Sequence, residues 1–241
     1  MIIACSKIST MTDLLNDFVS LFYPNLCMIC GHPLVRHERF FCLFCHCNLP
    51  KTNYHLNKGN PARDLFSGFT QINEVSSYLF FEKEGITQKL IHAIKYYGNK
   101  ALASYLGQTA AQELKASGFV ASIDSILPVP LHPKKQKRRG YNQSEWIAKG
   151  FSAVYGCEVD TKRVRRITDT KTQTRKSVYD RHVNVEKVFS INDPEFFVGK
   201  HILLIDDVVT TGATVSACIE AFTAIPDIQI SIFSLSIARE F

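Results

Sequence analysis

The chain has 241 residues, of which 46% are hydrophobic and 21% charged, and its net charge is +6. This composition is typical of a globular protein with one ordinary domain and a small appendage. Because no apolar stretch approaches the ~20 residues that a bilayer requires, we predict no membrane span. The start of the chain lacks a sustained apolar region and a cleavage site, so we expect no signal peptide and a cytoplasmic location. Met11 is an alternative start.

A cysteine-rich module over residues 23–50 follows a predicted N-terminal helix over residues 1–22. Two Cys-x-x-Cys pairs lie eleven residues apart: Cys27, Cys30, Cys42 and Cys45. This spacing predicts a structural Zn²⁺ site, because four thiolates hold the metal and the metal replaces a core that so short a segment cannot build. A disulfide framework is the alternative, and it does not suit a cytosolic chain. Either His46 or Cys47 could replace a neighbouring cysteine as a ligand.

A larger domain over residues 73–241 is predicted to follow a polar linker over residues 51–72. Apolar periodicity in this domain switches repeatedly between the helical and the strand pattern. The expected elements are a strand over 75–81, helices over 87–95 and 101–115, a strand over 122–129 and a helix through about residue 151. Short apolar strands between helices predict an α/β domain with a parallel sheet.

A cationic segment follows the strand that is predicted to end at Val129. Ligands bind at the carboxyl ends of strands in open α/β sheets, so this charge is well placed for a pyrophosphate group. The candidate residues of this predicted pyrophosphate loop are His132, Lys134, Lys135, Arg138 and Arg139. Nucleic-acid phosphates or a solvated basic face are alternatives. For His132, a structural role in the proline-rich turn competes with acid–base chemistry.

Residues 166–184 are predicted to form a long loop, because no apolar residue occurs between Thr168 and Ser177. Long polar loops in compact domains are usually lids or disordered segments, and both alternatives are open here. Its candidate functional residues are Gln173, Arg175 and Arg181.

Near the C-terminus, the buried-strand pattern of residues 202–205 runs into Asp206 and Asp207. A small-residue loop and a predicted helix over 214–223 come next. Free N–H groups and the helix dipole at such a loop favour a phosphate, and two carboxylates suit sugar hydroxyls or hydrated Mg²⁺. An ordinary capped turn would explain Thr211 or Thr214, but it does not explain two adjacent acids ahead of the turn.

This segment resembles the motif with which type I phosphoribosyltransferases bind 5-phosphoribosyl-1-pyrophosphate (PRPP). The resemblance implies that Asp206 and Asp207, the candidate catalytic residues, hold the ribose 2- and 3-hydroxyls. It also implies a 5-phosphate site made of Thr210, Thr211, Gly212, Ala213 and Thr214.

The order of motifs over about residues 20–238 resembles the ComF family of bacterial phosphoribosyltransferase-like proteins, which are associated with competence for DNA uptake. The matching features are the two cysteine pairs, Tyr96-Tyr97-Gly98, Pro128-Val-Pro-Leu-His-Pro133, Arg139-Gly-Tyr-Asn-Gln143, the Thr170/Gln173/Arg181/Asn184/Phe189 series and the PRPP motif. The resemblance implies a type I phosphoribosyltransferase fold, with a mostly parallel sheet flanked by helices, and an N-terminal double zinc-ribbon-like module.

Three functions are compatible with these motifs. The first is a phosphoribosyltransferase that uses PRPP with Mg²⁺ and an acceptor of unknown identity. The second is a non-catalytic protein that handles single-stranded DNA with other competence proteins. The third is a PRPP-sensing regulator. We expect the first, because a double acid beside a phosphate loop is suited to PRPP.

Overall fold

The computed structural model of the protein describes Phe18, residues 22–168 and residues 188–239. Almost all of the predicted helix over residues 1–22 therefore lies outside the described residues. The same is true of the predicted loop residues Gln173, Arg175 and Arg181. The chain divides into two compact units, Met1–Leu49 and Pro50–Phe241.

Short turns make up most of the described part of the first unit. An isolated antiparallel bridge joins Leu26 to Pro33. Between them the chain reverses at Gly31, whose φ of 74° lies in the left-handed region that glycine tolerates. Helix α1 (Leu43–Cys47) begins directly after Cys42 and contains Cys45.

The second unit is an α/β domain, as predicted. Its strands are β1 (Ile72–Phe81), β2 (Ser125–Pro128), β3 (Val164–Arg166), β4 (Phe189–Ile191), β5 (His201–Val209) and β6 (Gln229–Ala238). Its helices are α2 (Pro61–Asp64), α3 (Ile86–Tyr96), α4 (Lys100–Ala116), α5 (Pro133–Arg139), α6 (Gln143–Tyr155) and α7 (Ala213–Glu220), with 3₁₀ turns at Tyr54–Leu56 and Pro194–Phe197.

Four of these strands form one parallel sheet in the order β1-β6-β5-β2, and β3 and β4 form a separate antiparallel pair. Strand β5 lies inside the sheet, and residues 202–205 are all buried. Strands covered on both faces read as continuous apolar runs, which explains this pattern. The parallel arrangement brings the carboxyl ends of β2, β5 and β6 to one edge.

Helices α4 and α6 cross closely enough that only glycine fits at the crossing. A Cβ added to Gly107 would lie 2.3 Å from the Ile147 carbonyl oxygen. A Cβ added to Gly150 would lie 2.3 Å from the Ser104 carbonyl oxygen. The two glycines therefore let the backbones touch, and this contact fixes α6 against α4.

The segment predicted as a linker, residues 51–72, is instead part of the second unit, which begins at Pro50. Phe66 is 2% exposed and belongs to the main core. The Asn60 amide donates to the Val75 carbonyl oxygen at 2.8 Å and fixes the segment against β1. The polar composition concealed these contacts, because a few apolar side chains are enough to hold a short segment on a sheet.

Helix α7 is shorter than the predicted helix over 214–223, since it ends at Glu220. The following turn has tighter hydrogen bonds, from the Ala221 amide to the Cys218 carbonyl and from the Phe222 amide to the Ile219 carbonyl. Such i to i+3 bonds are common where α-helices end. Among the described helices, none combines the length and apolar character that crossing a bilayer requires.

Candidate functional site

The two adjacent acids lie at the carboxyl end of β5 and have different partners. The Ser144 hydroxyl of α6 donates to Asp206 Oδ1 at 3.1 Å. The backbone N–H of Asp207 donates to the same oxygen at 2.8 Å. Asp207 Oδ2 instead pairs with the Lys95 ammonium of α3 at 3.1 Å. Successive residues of a strand point to opposite faces, so each acid reaches a different helix.

The electrostatics of the acid pair also differ between its members. Burial raises the pKa of Asp206 to about 7, and the neighbouring Asp207 carboxylate contributes to the rise. Both effects disfavour the ionised form of Asp206. Lys95 gives Asp207 a positive neighbour, so the site holds one acid beside a cation and one beside neutral donors.

The loop after β5 is held by Gly212, which precedes α7. Its φ of 74° lies in the left-handed region, and an added Cβ would lie 3.2 Å from Phe66 Cε1. Thr210 and Thr211 are exposed in this loop, as is Thr214 in the first turn of α7. No side chain of the described residues caps the start of this helix. The N–H groups of its first turn are therefore free to bind an anion.

The cationic segment is a helix and not the predicted loop. Pro133 at its first position suits a helix start, and His132 is the N-cap, accepting from the Lys134 amide at 3.3 Å. His132 thus has the structural role that competed with acid–base chemistry. Lys134 and Lys135 lie in the first turn of α5. The last turn contains Lys137, Arg138 and Arg139, and positive charge is favoured there by the helix dipole.

The connection from α5 to α6 brings part of the cationic segment toward the acids. Arg139 donates to the Gln143 side-chain oxygen at 3.1 Å, and Ser144 is the next residue. The Asn142 amide donates to the Val129 carbonyl oxygen at 3.0 Å, which ties this connection to the end of β2. Within the described part of the chain, the cations Lys134, Lys135 and Arg138 form no ion pair with either acid.

A cleft of about 570 Å³ opens beside α5. One wall is the turn after β2, with Leu131 and His132, and the other is β3, with Arg165 and Arg166. Because β2 is the neighbour of β5 in the sheet, this cleft lies on the same side of the domain as the acid pair. It has both apolar and cationic walls.

Three residues of this site escaped prediction from the sequence. Lys95 lies in a helical pattern whose polar residues appear solvated, and Ser144 resembles an ordinary helix-start residue. Phe66 lies in the segment that was interpreted as a linker. The Tyr96-Tyr97-Gly98 turn was the one signal near Lys95, because a helix that ends at a glycine fixes its last turn in place.

Four cysteines of the first unit form one cluster that could hold a metal ion. The Sγ atoms of Cys27, Cys30, Cys42 and Cys45 all lie within 4.8 Å of one another. This spacing fits a tetrahedral site with Zn–S bonds of about 2.3 Å. Neither His46 nor Cys47 belongs to the cluster, and Cys47 is exposed at the end of α1. Among the described residues, the predicted four-cysteine ligand set is therefore the one that comes together.

The cysteine environment favours a bound cation. Burial opposes ionisation of Cys27, but the backbone N–H groups of Cys30, Cys42 and Ile29 lower its pKa to about 6. Burial and the neighbouring thiols raise the pKa of Cys45. Thiolates so crowded repel one another, and a divalent metal removes that repulsion.

The chain is similar in sequence to several named bacterial proteins. It is 29% identical over 211 residues to the DNA utilization protein YhgH of Escherichia coli strain K12, covering 81% of this chain and 89% of that protein. YhgH of Salmonella typhi is 28% identical over the same length. Competence protein F of Haemophilus influenzae is 31% identical over 123 residues, which are 51% of this chain and 53% of that protein. No family model matches the chain.

These similarities support a ComF family assignment for the chain. In this protein, the two cysteine pairs and the double acid lie in different compact units. The metal cluster and the carboxyl edge of the sheet are therefore two separate candidate sites.

Proposed function

We propose that this protein binds PRPP with Mg²⁺ at the carboxyl edge of its parallel sheet and transfers the phosphoribosyl group to an acceptor, in a process linked to DNA uptake. The names of its relatives, DNA utilization protein and Competence protein F, support the biological setting. The domain would then be a type I phosphoribosyltransferase fold, and its first unit a structural zinc ribbon.

One observation carries the proposal. Two carboxylates end β5, and the uncapped first turn of α7 follows them after a loop that Gly212 and Phe66 hold in shape. Acids beside helix N–H groups suit a sugar that bears a phosphate, since hydroxyls donate to the acids and the phosphate accepts from the amides. PRPP has both groups on one ribose.

In the proposed reaction, the bond from ribose C1 to the pyrophosphate oxygen breaks, and the pyrophosphate leaves with the electron pair. The lone pair of the acceptor forms the new bond to C1. Positive charge develops on the ribose in the transition state, as in glycoside chemistry. Asp206 and Asp207 orient the ribose hydroxyls, and the α7 amides with Thr210, Thr211 and Thr214 hold the 5-phosphate.

Two cations complete the proposal. The carboxylates Asp206 and Asp207 offer the oxygen ligands that Mg²⁺ prefers, together with the oxygens of PRPP itself. When bound, Mg²⁺ neutralises charge on the departing pyrophosphate. Arg139, at the end of α5 nearest to α6, is the cation of that helix best placed to assist. The cleft beside α5 is large enough for an acceptor.

The acceptor is identified by incubating the full chain with Mg²⁺, labelled PRPP and a panel of purines, pyrimidines and other amines. Release of pyrophosphate that depends on one acceptor supports transfer. Binding of PRPP without release for any acceptor contradicts catalysis and favours the PRPP-sensing regulator. The Asp206→Asn/Asp207→Asn variant is the control, because it removes the charge of the acid pair with little change in size.

A second candidate function is the binding of single-stranded DNA without catalysis. Tyr96 and Tyr97 at the end of α3 are 66% and 84% exposed. The Lys100 ammonium lies 5.4 Å from the centroid of the partly exposed Trp146 ring. Exposed aromatic rings among cations are typical of surfaces that stack bases and bind phosphates.

The dependence of binding affinity on salt concentration distinguishes the two functions. Binding to many DNA phosphates releases counterions, so the affinity falls steeply as the salt concentration rises. Binding of PRPP in a compact pocket weakens less. Tight and strongly salt-dependent binding of an oligonucleotide, together with no PRPP binding, would favour the second function.

A further inference from the structure

The ion pair between Lys95 and Asp207 is the most direct link between a helix and the acid pair. Lys95 Nζ lies 3.1 Å from Asp207 Oδ2, and the two side chains are 18% and 13% exposed. The surface pair of Lys149 with Glu145 is more open, at 43% and 26% exposed. Water screens enclosed charges less, so Lys95 acts on its partner more strongly than a surface lysine does.

The backbone that carries Lys95 is fixed by two contacts just outside the acid pair. The Tyr141 hydroxyl donates to the carbonyl oxygen of Ile94, the residue before Lys95. The Lys100 ammonium, at the start of the next helix, lies over the Tyr141 ring. Both contacts join the corner between α3 and α4 to the connection that leads into α6. The side chain of Lys95 therefore extends toward Asp207 from a turn whose backbone is fixed by these contacts.

Lys95 also offsets the repulsion between two adjacent carboxylates. Asp206 has neutral donors, the Ser144 hydroxyl and the Asp207 amide, whereas Asp207 has the cation. The ion pair restricts the orientation of the Asp207 carboxylate, because its Oδ2 is held by the ammonium of Lys95.

We propose that Lys95 is a positioning residue for PRPP binding, which holds the Asp207 carboxylate in the orientation that accepts a hydrogen bond from a ribose hydroxyl. This inference rests on the proposed function. It adds to the site a residue from α3, a helix outside the cationic segment, the loop over residues 166–184 and the PRPP motif. Lys95, Asp207 and Asp206 then form one group of interacting side chains, in which Lys95 acts through Asp207.

The test is a double-mutant cycle on the dissociation constant of PRPP with Mg²⁺, measured by titration calorimetry on the full chain. Lys95→Met keeps the length of the side chain and removes its charge. We expect it to weaken binding about tenfold, since the Asp207 carboxylate then loses the charged partner that orients it. Lys95→Arg should restore most of the affinity, because it restores the charge.

The decisive comparison adds Lys95→Met to Asp207→Asn. If Lys95 acts through Asp207, the double variant binds PRPP no more weakly than Asp207→Asn alone. Lys149→Met is the matched control, and it should bind as the unchanged protein does. Thermal melts of all variants show whether each is folded.

Two results would overturn the proposal: Lys95→Met binding PRPP with unchanged affinity, or losses from Lys95→Met and Asp207→Asn that simply add. Failure of the unchanged protein to bind PRPP would instead refute the proposed function itself, and this inference with it. The two failures are therefore distinguishable.

Discussion

Substitution of Gly212 by alanine tests whether the loop after the acids has the shape that binding requires. Its φ of 74° is unfavourable for alanine, and the new Cβ would lie 3.2 and 3.3 Å from two atoms of the Phe66 ring. Left-handed backbone costs a non-glycine residue about 1–2 kcal/mol. Phe66 is 2% exposed and has little room to move, so the contact adds to this cost. We expect the free energy of unfolding to fall by about 2 kcal/mol.

Urea denaturation of the full chain measures this loss, and titration calorimetry measures PRPP affinity under native conditions. Gly68→Ala is the matched control, because Gly68 is exposed and an added Cβ would have no neighbour within 4 Å. That control should stay within about 0.5 kcal/mol of the unchanged protein. Unchanged stability and unchanged PRPP affinity in Gly212→Ala would refute the role assigned to the loop.

Three further predictions concern the metal cluster, the acid pair and the helix crossing. Cys30→Ala should abolish the binding of zinc while Cys47→Ala retains it, as measured by metal analysis of the purified chain; equal zinc content in both would contradict the assigned ligands. A native pKa near 7 for Asp206 means that the folded state binds more protons than the unfolded state between about pH 4 and 7, so this residue lowers stability as the pH rises through that range. Asp206→Asn should therefore be more stable than the unchanged protein at pH 8, on the order of 2 kcal/mol, and the advantage should vanish below about pH 4; equal denaturation curves at pH 8 would argue against a buried, proton-binding acid. Gly150→Ala should cost about 3 kcal/mol, because its Cβ would overlap the Ser104 carbonyl oxygen, and a melting temperature equal to that of Gly68→Ala would exclude this close crossing.

The sequence predicted those features that depend on neighbours along the chain. The four apolar residues 202–205 required a buried strand, and the acids that follow had to lie at its carboxyl end. The two cysteine pairs likewise predicted their cluster, because a single short turn is enough to bring the two cysteines of each pair together.

The sequence did not predict contacts between distant segments. Phe66 lies among polar residues, and its contact with Gly212 depends on how the chain folds back over the sheet. Lys95 and Asp207 are far apart in sequence, and nothing in the helical pattern of α3 indicates which of its lysines faces an acid. Each of these residues needed the tertiary fold before its role became visible.

The central claim is that the protein binds PRPP at the acid pair. The most direct test is to measure the affinity for PRPP with and without the two carboxylates. Titration calorimetry with Mg²⁺ should show PRPP binding to the unchanged chain and no measurable binding to Asp206→Asn/Asp207→Asn, with both proteins folded. PRPP binding with the same affinity to both proteins would contradict the assignment of the site.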